Sequence, residues 1–138
     1  MVPTVFRPSE KGLRKVFGDL EADVMELVWQ RGSVTVADVW QALRRERELA
    51  YTTVKTVMSR LAEKGYLKRS TKERAHTYEP TMGRDAFLRA VSEEVLEGLF
   101  VDFGEPIRAH LVKALRERDL PGLERLEALV RGERRRRK

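Results

Sequence analysis

The feature that most restricts the fold is a change of period inside residues 19–80, where apolar residues recur three times at helical spacing and then at strand spacing. Leu20, Val24, Leu27 and Val28 stand at i, i+4, i+7 and i+8, one stripe on a helix of about 3.6 residues per turn. Asp19 is placed to cap this helix and Gly32 to end it, which predicts a helix over 20–31. Ser33, Val34 and Thr35 can supply one short strand. Val36, Val39, Trp40 and Leu43 mark a second helix, capped by Thr35 and ending near the charged residues 44–48. After a brief turn at Leu49 and Ala50, Val54, Val57, Met58 and Leu61 repeat at three and four, and Gly65 stops the third helix. Residues 66–70 and 75–79, the latter closed by Pro80, flank a polar turn around 71–74 and predict a two-stranded hairpin.

Two helices joined by a short turn, with one helix before them and a hairpin after, make the winged helix-turn-helix order. From Thr81 the strand signals stop. Phe87, Leu88, Val91, Val95 and Leu99 form one apolar stripe; Ile107, Leu111 and Leu115 form another after Pro106; Leu123, Leu126 and Val130 form a third after Pro121 and Gly122. Three short helices are predicted there. A segment of this size buries three stripes poorly alone, and a second copy of the chain would cover them. Phe87, Leu88, Val91, Val95, Leu99, Ile107, Leu111, Leu115 and Leu126 are the expected dimerisation residues. The alternative is that these helices fold back on the first domain.

The expected fold class is therefore mainly α with a small β-hairpin: a winged helix-turn-helix domain followed by a helical dimerisation region. Residues 1–18, with Pro3, Pro8, Gly12, Gly18 and no helical period, are expected as a flexible arm. Residues 19–80 are the DNA-binding domain, 81–132 the dimerisation region, and 133–138 a basic tail expected to be disordered.

Composition narrows the function classes. The chain has no cysteine and two histidines, His76 and His110, so disulfides, thiolate metal sites and cysteine nucleophiles are excluded. No apolar run reaches the length of a membrane span, and the first residues lack the order of a signal peptide, so a cytoplasmic protein with no membrane partner is expected. The net charge of +6 is unevenly placed: residues 1–80 hold 15 Lys or Arg against 11 acids, 81–132 hold 8 against 10, and 133–138 hold 5 against 1. That pattern fits an electropositive module joined to a segment with no need of a polyanion. Glu93, Glu94 and Glu97 have no positioned partner and read as the wet side of a helix. No phosphate loop or catalytic triad is present, and neither an enzyme nor a cofactor is expected.

The third helix carries the binding residues. With Val54, Val57, Met58 and Leu61 turned inward, its outer face presents Thr52, Thr53, Lys55, Thr56, Ser59 and Arg60, with no acid before Glu63. Short hydroxyls and long cations suit a face laid in the major groove of double-stranded DNA. Thr52 and Thr53 could equally cap the helix. Lys72 and Arg74, beside Lys68 and Arg69, are placed to reach the flanking backbone or minor groove. A protein-interaction module and an RNA-associated accessory factor are the alternatives from other classes.

The segments Leu20-Glu21-Ala22-Asp23-Val24-Met25-Glu26-Leu27-Val28-Trp29 and Ala50-Tyr51-Thr52-Thr53-Val54-Lys55-Thr56-Val57-Met58-Ser59-Arg60-Leu61-Ala62-Glu63-Lys64-Gly65-Tyr66-Leu67 together resemble the BlaI/MecI/CopY family of penicillinase repressors. The resemblance implies a homodimeric repressor with an N-terminal winged helix and a C-terminal helical dimerisation region, bound to dyad-symmetric operators. It places the positions of Thr52, Thr53, Lys55, Thr56 and Arg60 against the operator. It also names a membrane sensor-protease system as a candidate partner, acting through cleavage at an Asn-Phe bond, whereas copper-responsive members use a C-terminal cysteine cluster. This chain contains neither asparagine nor cysteine, which puts the partner in doubt and excludes both switches in the forms described.

Overall fold

In the computed structural model, which describes residues 5–72 and 75–137, the elements follow the order that the periods predict. Helices α1 (Asp19–Arg31), α2 (Val36–Leu43) and α3 (Tyr51–Glu63) precede antiparallel strands β1 (Leu67–Lys72) and β2 (Ala75–Pro80), and α4 (Arg84–Arg118) and α5 (Leu120–Arg137) complete the chain. The fold class is thus mainly α with a small hairpin, a winged helix-turn-helix followed by helices. The chain divides into two units, Met1–Glu93 and Glu94–Lys138.

Local chemistry sets the ends of the elements. Asp19 is not the cap of α1: Gly18 holds that position, its N–H donates to Glu21 Oε1 at 3.2 Å, and Asp19 Oδ1 accepts from Arg14 Nε at 2.7 Å. The predicted cap of α2 is present in reciprocal form, since Asp38 N–H donates to Thr35 Oγ1 at 3.1 Å and Thr35 N–H to Asp38 Oδ2 at 2.9 Å, an arrangement in which the cap contributes about 0.5–2 kcal/mol. Ala50 precedes α3 without a side-chain cap, so Thr52 and Thr53 are helical residues and not caps. At the other end of α3, Gly65 takes a φ of 88°, a region costly for any residue with a Cβ. This lets Gly65 N–H reach Ala62 O at 3.0 Å and Tyr66 N–H reach Leu61 O at 2.9 Å, the paired bonds of a Schellman ending that turns the chain directly into β1.

The hairpin register runs from Leu67↔Pro80 to Lys72↔Ala75. The predicted strand at 33–35 is reduced to one bridge, Val34 to Tyr78, with N–H to O distances of 3.0 and 2.7 Å. This bridge ties the start of α2 to the wing. The core of the first unit takes Val24, Met25 and Val28 from α1, Val39 from α2, Val54, Met58 and Leu61 from α3, and Leu67 and Tyr78 from the hairpin.

Two further segments enter that core against expectation. The stretch assigned to a flexible arm contains a one-turn 3-10 helix, Gly12–Lys15, with Leu13 and Phe17 buried; residues 1–4 lie outside the described residues. Phe87, assigned to dimerisation, is 1% exposed. Its ring lies 5.4 Å from Phe17, 5.3 Å from Trp29 and 5.8 Å from Tyr66, centroid to centroid. The cause is the short connection after β2. Trp29 Nε1 donates to Met82 O at 2.9 Å and Arg84 pairs with Glu26 at 3.1 Å, which seats the first turns of α4 beside α1. Phe87 and Val91 therefore belong to the first unit's core, which extends to residue 93 and not 80.

Of the three helices expected after residue 81, the second, over Ile107, Leu111 and Leu115, is a continuation of α4 past a break at Phe103, with φ −128° and ψ 35°. Pro106 lacks an N–H and its ring crowds the carbonyl four residues back, at Asp102, so the helix yields at that point without ending. Asp119 caps α5 by accepting Gly122 N–H at 3.1 Å, and Pro121 occupies the first turn, where a missing donor costs nothing. The tail expected to be disordered is helical through Arg137; Lys138 lies outside the described residues. Arginine is a good helix former and cations are favoured in a last turn by the helix dipole.

Candidate nucleic-acid interface

Helix α3 divides as the sequence predicts. Val54, Met58 and Leu61 are each 0% exposed, Val57 is half-buried, and Thr52, Thr53, Lys55, Thr56 and Arg60 are exposed, with Ser59 half-buried at the border. Three apolar anchors at three- and four-residue spacing fix the rotation of the helix, and that rotation selects the side chains left outside. Thr56 Oγ1 donates to Thr52 O at 2.9 Å, so its hydroxyl offers a ligand acceptor lone pairs. The face is free of carboxylates up to Glu63.

Ion pairing occupies several cations of the first unit and none on this face. The acids of α1 are engaged by cations from other elements: Glu21 by Lys64 at 3.3 Å, Glu26 by Arg84 at 3.1 Å, and Asp23 by Arg47. Lys55, Arg60, Lys68 and Arg69 form no ion pair among the described residues. Such exposed pairs add little stability. Arg31, Arg44 and Arg45 are likewise without an ion pair among the described residues.

The turn between α2 and α3 is organised by Trp40. Its Nε1 donates to Leu49 O at 2.8 Å, the Arg44 guanidinium carbon lies 4.4 Å from the ring centroid, and Tyr51 packs edge-on with centroids 5.8 Å apart. Sequence reading assigned Trp40 to the inner face of α2 and gave Arg44 and Tyr51 no role. The i, i+4 spacing of Trp40 and Arg44 was the signal for their contact.

In the wing, Lys68 and Arg69 are exposed and pair across the ladder with Glu79 and Tyr78. Ser70 and Thr77 hydroxyls lie 3.0 Å apart, and Thr71 Oγ1 lies 3.0 Å from His76 Nδ1, so the isolated histidine is an exposed partner in a cross-strand pair. Lys72 ends β1 opposite Ala75. Arg74 lies outside the described residues.

The remaining residues assigned to dimerisation fall in two groups. Leu88 is half-buried in the first unit; in the second, Val95, Leu99, Ile107, Leu115 and Leu126 are half-buried and Leu111 is exposed. Among the described residues, Leu123 is the sole apolar side chain of the second unit that is fully buried, while Val101 is 78% and Leu129 60% exposed.

A model of the penicillinase repressor family matches residues 17–130. The transcriptional regulator BlaI of Mycobacterium tuberculosis strain H37Rv is 45% identical over 86 residues, 62% of this chain and 56% of that protein. The penicillinase repressor of Bacillus licheniformis is 24% identical over 82 residues, 59% of this chain and 64% of that protein. The chain thus spans little more than half the length of the curated relatives it matches. The solution structure of the DNA-binding domain of the repressor BlaI aligns with 54% of this chain and 90% of its own, at 25% identity and a TM-score of 0.46. The matched span includes α1, the acid-free face of α3 and the wing, and on it the chain belongs to the penicillinase repressor family.

Proposed function

We propose that the protein is a sequence-specific transcriptional repressor that binds a dyad-symmetric DNA operator as a homodimer. The observation that carries this reading is the face of α3, where Thr52, Thr53, Lys55, Thr56 and Arg60 are exposed together and both cations are free of carboxylate partners among the described residues. Laid in a major groove, the hydroxyls reach base edges or phosphates and the cations reach guanine or phosphate. Lys68 and Arg69 on β1, with Lys72 and Arg74 beyond them, contact the flanking backbone. The name of the Mycobacterium tuberculosis relative, a transcriptional regulator, and the family match support the same reading.

Dimerisation rests on the second unit. Its helices leave Leu96, Phe100, Val101, Leu111, Val112 and Leu129 from 39% to 78% exposed, more apolar surface than a small helical unit keeps in water without a partner. A second copy supplies matching surface and sets two α3 helices on two half-sites.

Selection of bound duplexes from a random-sequence pool tests the proposal. The expected product is a palindrome whose half-sites are spaced by about one helical turn or a small multiple of it, bound with an affinity that falls steeply with salt. Equal affinity for scrambled duplex, or tighter binding to single-stranded RNA, would overturn it.

A further inference from the structure

The cluster at the α2–α3 turn has a geometry that core packing alone does not require. Arg44, the C-cap of α2, is exposed, and its guanidinium lies over the Trp40 ring at 4.4 Å. Stacking occupies the flat face of a guanidinium and leaves its N–H donors at the edge, in the fork that matches phosphate oxygens. No carboxylate pairs with Arg44 among the described residues, whereas its neighbour Arg47 is held by Asp23. Tyr51, the first residue of α3, packs edge-on to the same indole and is still 43% exposed. Its hydroxyl makes no hydrogen bond among the described residues. Trp40 itself is fixed by its bond to Leu49 O. A cation and a phenol are therefore held on one immobilised ring before any ligand arrives, which lowers the entropy lost on binding.

We propose that Arg44 and Tyr51 form a phosphate-contacting clamp, positioned by Trp40, that grips the DNA backbone beside the groove entered by α3. The inference rests on the repressor reading and adds to it a division of labour. In a helix-turn-helix the first helix crosses the backbone while the second reads bases, and Arg44 ends that first helix. Contacts of this kind set register and affinity and carry no sequence information. Arg44 and Tyr51 thus govern how tightly any duplex is held, and the outer face of α3 governs which one.

The test compares Arg44→Gln, Arg44→Lys and Tyr51→Phe with the unaltered protein, on the duplex recovered by selection and on a scrambled duplex of equal length, over a range of salt. For Arg44→Gln the affinity is expected to fall by the same factor on both duplexes, and the slope of log K against log salt to become shallower by about 0.9 for each protomer. Arg44→Lys restores the slope, because it restores the charge. Tyr51→Phe keeps the ring on Trp40 and weakens both duplexes several-fold without changing the slope. An Arg44→Gln protein with unchanged slope overturns the clamp, whether or not its melting temperature falls, since a purely packing role would appear in melting alone. A loss confined to the selected duplex also overturns it, because that is the mark of base readout. Failure of the repressor reading is separately visible: the unaltered protein would then show no preference between the two duplexes.

Discussion

Replacing Phe87 with alanine separates two assignments for the start of α4. In the structure its ring is 1% exposed and lies among Phe17, Trp29 and Tyr66 at centroid distances of 5.3–5.8 Å. A phenylalanine side chain of about 150–200 Å² at roughly 25 cal/mol/Å² gives about 4–5 kcal/mol of burial. Measured core Phe→Ala costs of about 3–5 kcal/mol agree. Against a total stability of about 5–15 kcal/mol for a small domain this is a large fraction. Urea unfolding followed by tryptophan fluorescence is a suitable assay, because Trp29 touches the altered site. With m of about 1–3 kcal/mol/M, the midpoint should fall by about 1 M or more. The experiment is run at two protein concentrations. A core residue moves both midpoints equally, whereas an interface residue gives a shift that depends on concentration and raises the dimer dissociation constant. If Phe87→Ala weakens self-association while the unfolding of the first unit is unchanged, the aromatic cluster is not the core of that unit.

The module boundary gives a second test: a chain ending at residue 93 should fold cooperatively and stay monomeric in sedimentation, whereas one ending at residue 80, without Phe87 and the Met82 carbonyl that receives Trp29, should show no cooperative transition. Thr35→Ala removes the oxygen that caps α2 and should lower stability by about 1 kcal/mol in thermal melting, with Thr35→Ser close to the unaltered protein. Lys55→Ala and Arg60→Ala should each weaken binding to the selected duplex by about 1–3 kcal/mol if the side chain meets a base, with a smaller loss on scrambled duplex. Unchanged affinity for the selected duplex in both variants would mean that another face of the protein meets DNA.

The parts of the fold legible in the sequence were those governed by short-range rules. Helical period placed α1, α2 and α3, the Thr35 and Gly65 positions ended them as expected, and strand alternation located the hairpin, because each of these depends on residues within a few positions of one another. What escaped was set by distant partners. Leu13 and Phe17 lie in a stretch with two prolines and two glycines, and nothing local marks them as core; Phe17 packs on Tyr66 and Phe87, far along the chain. Phe87 and Val91 share a stripe with Val95 and Leu99, and a stripe says that a face is apolar without saying what covers it. One continuous pattern on α4 thus serves the first unit at its start and the second unit afterwards, and the change falls where no sequence signal stands.

The face proposed to bind DNA was legible for a related reason and incomplete for another. Its residues follow from rotation of α3, which three apolar anchors determine, so Thr52, Thr53, Lys55, Thr56 and Arg60 could be named from spacing alone. Net charge could not have located it, since an excess of +6 spread over 50 ionised side chains marks no surface. The electrostatic contrast arises from pairing. Lys64, Arg84 and Arg47 are partnered by the acids of α1, and Lys55, Arg60, Lys68 and Arg69 have no such partners among the described residues. Pairing across the chain is tertiary information. The same holds for Arg44, which in sequence is one of three arginines in the run 44–47. Contact with Trp40 marks Arg44, whereas Arg47 is paired with Asp23. Two arginines three residues apart therefore have different expected effects on DNA affinity, and exchanging each for glutamine in turn would reveal that difference directly: Arg44→Gln should reduce the salt dependence, and Arg47→Gln should leave it nearly intact.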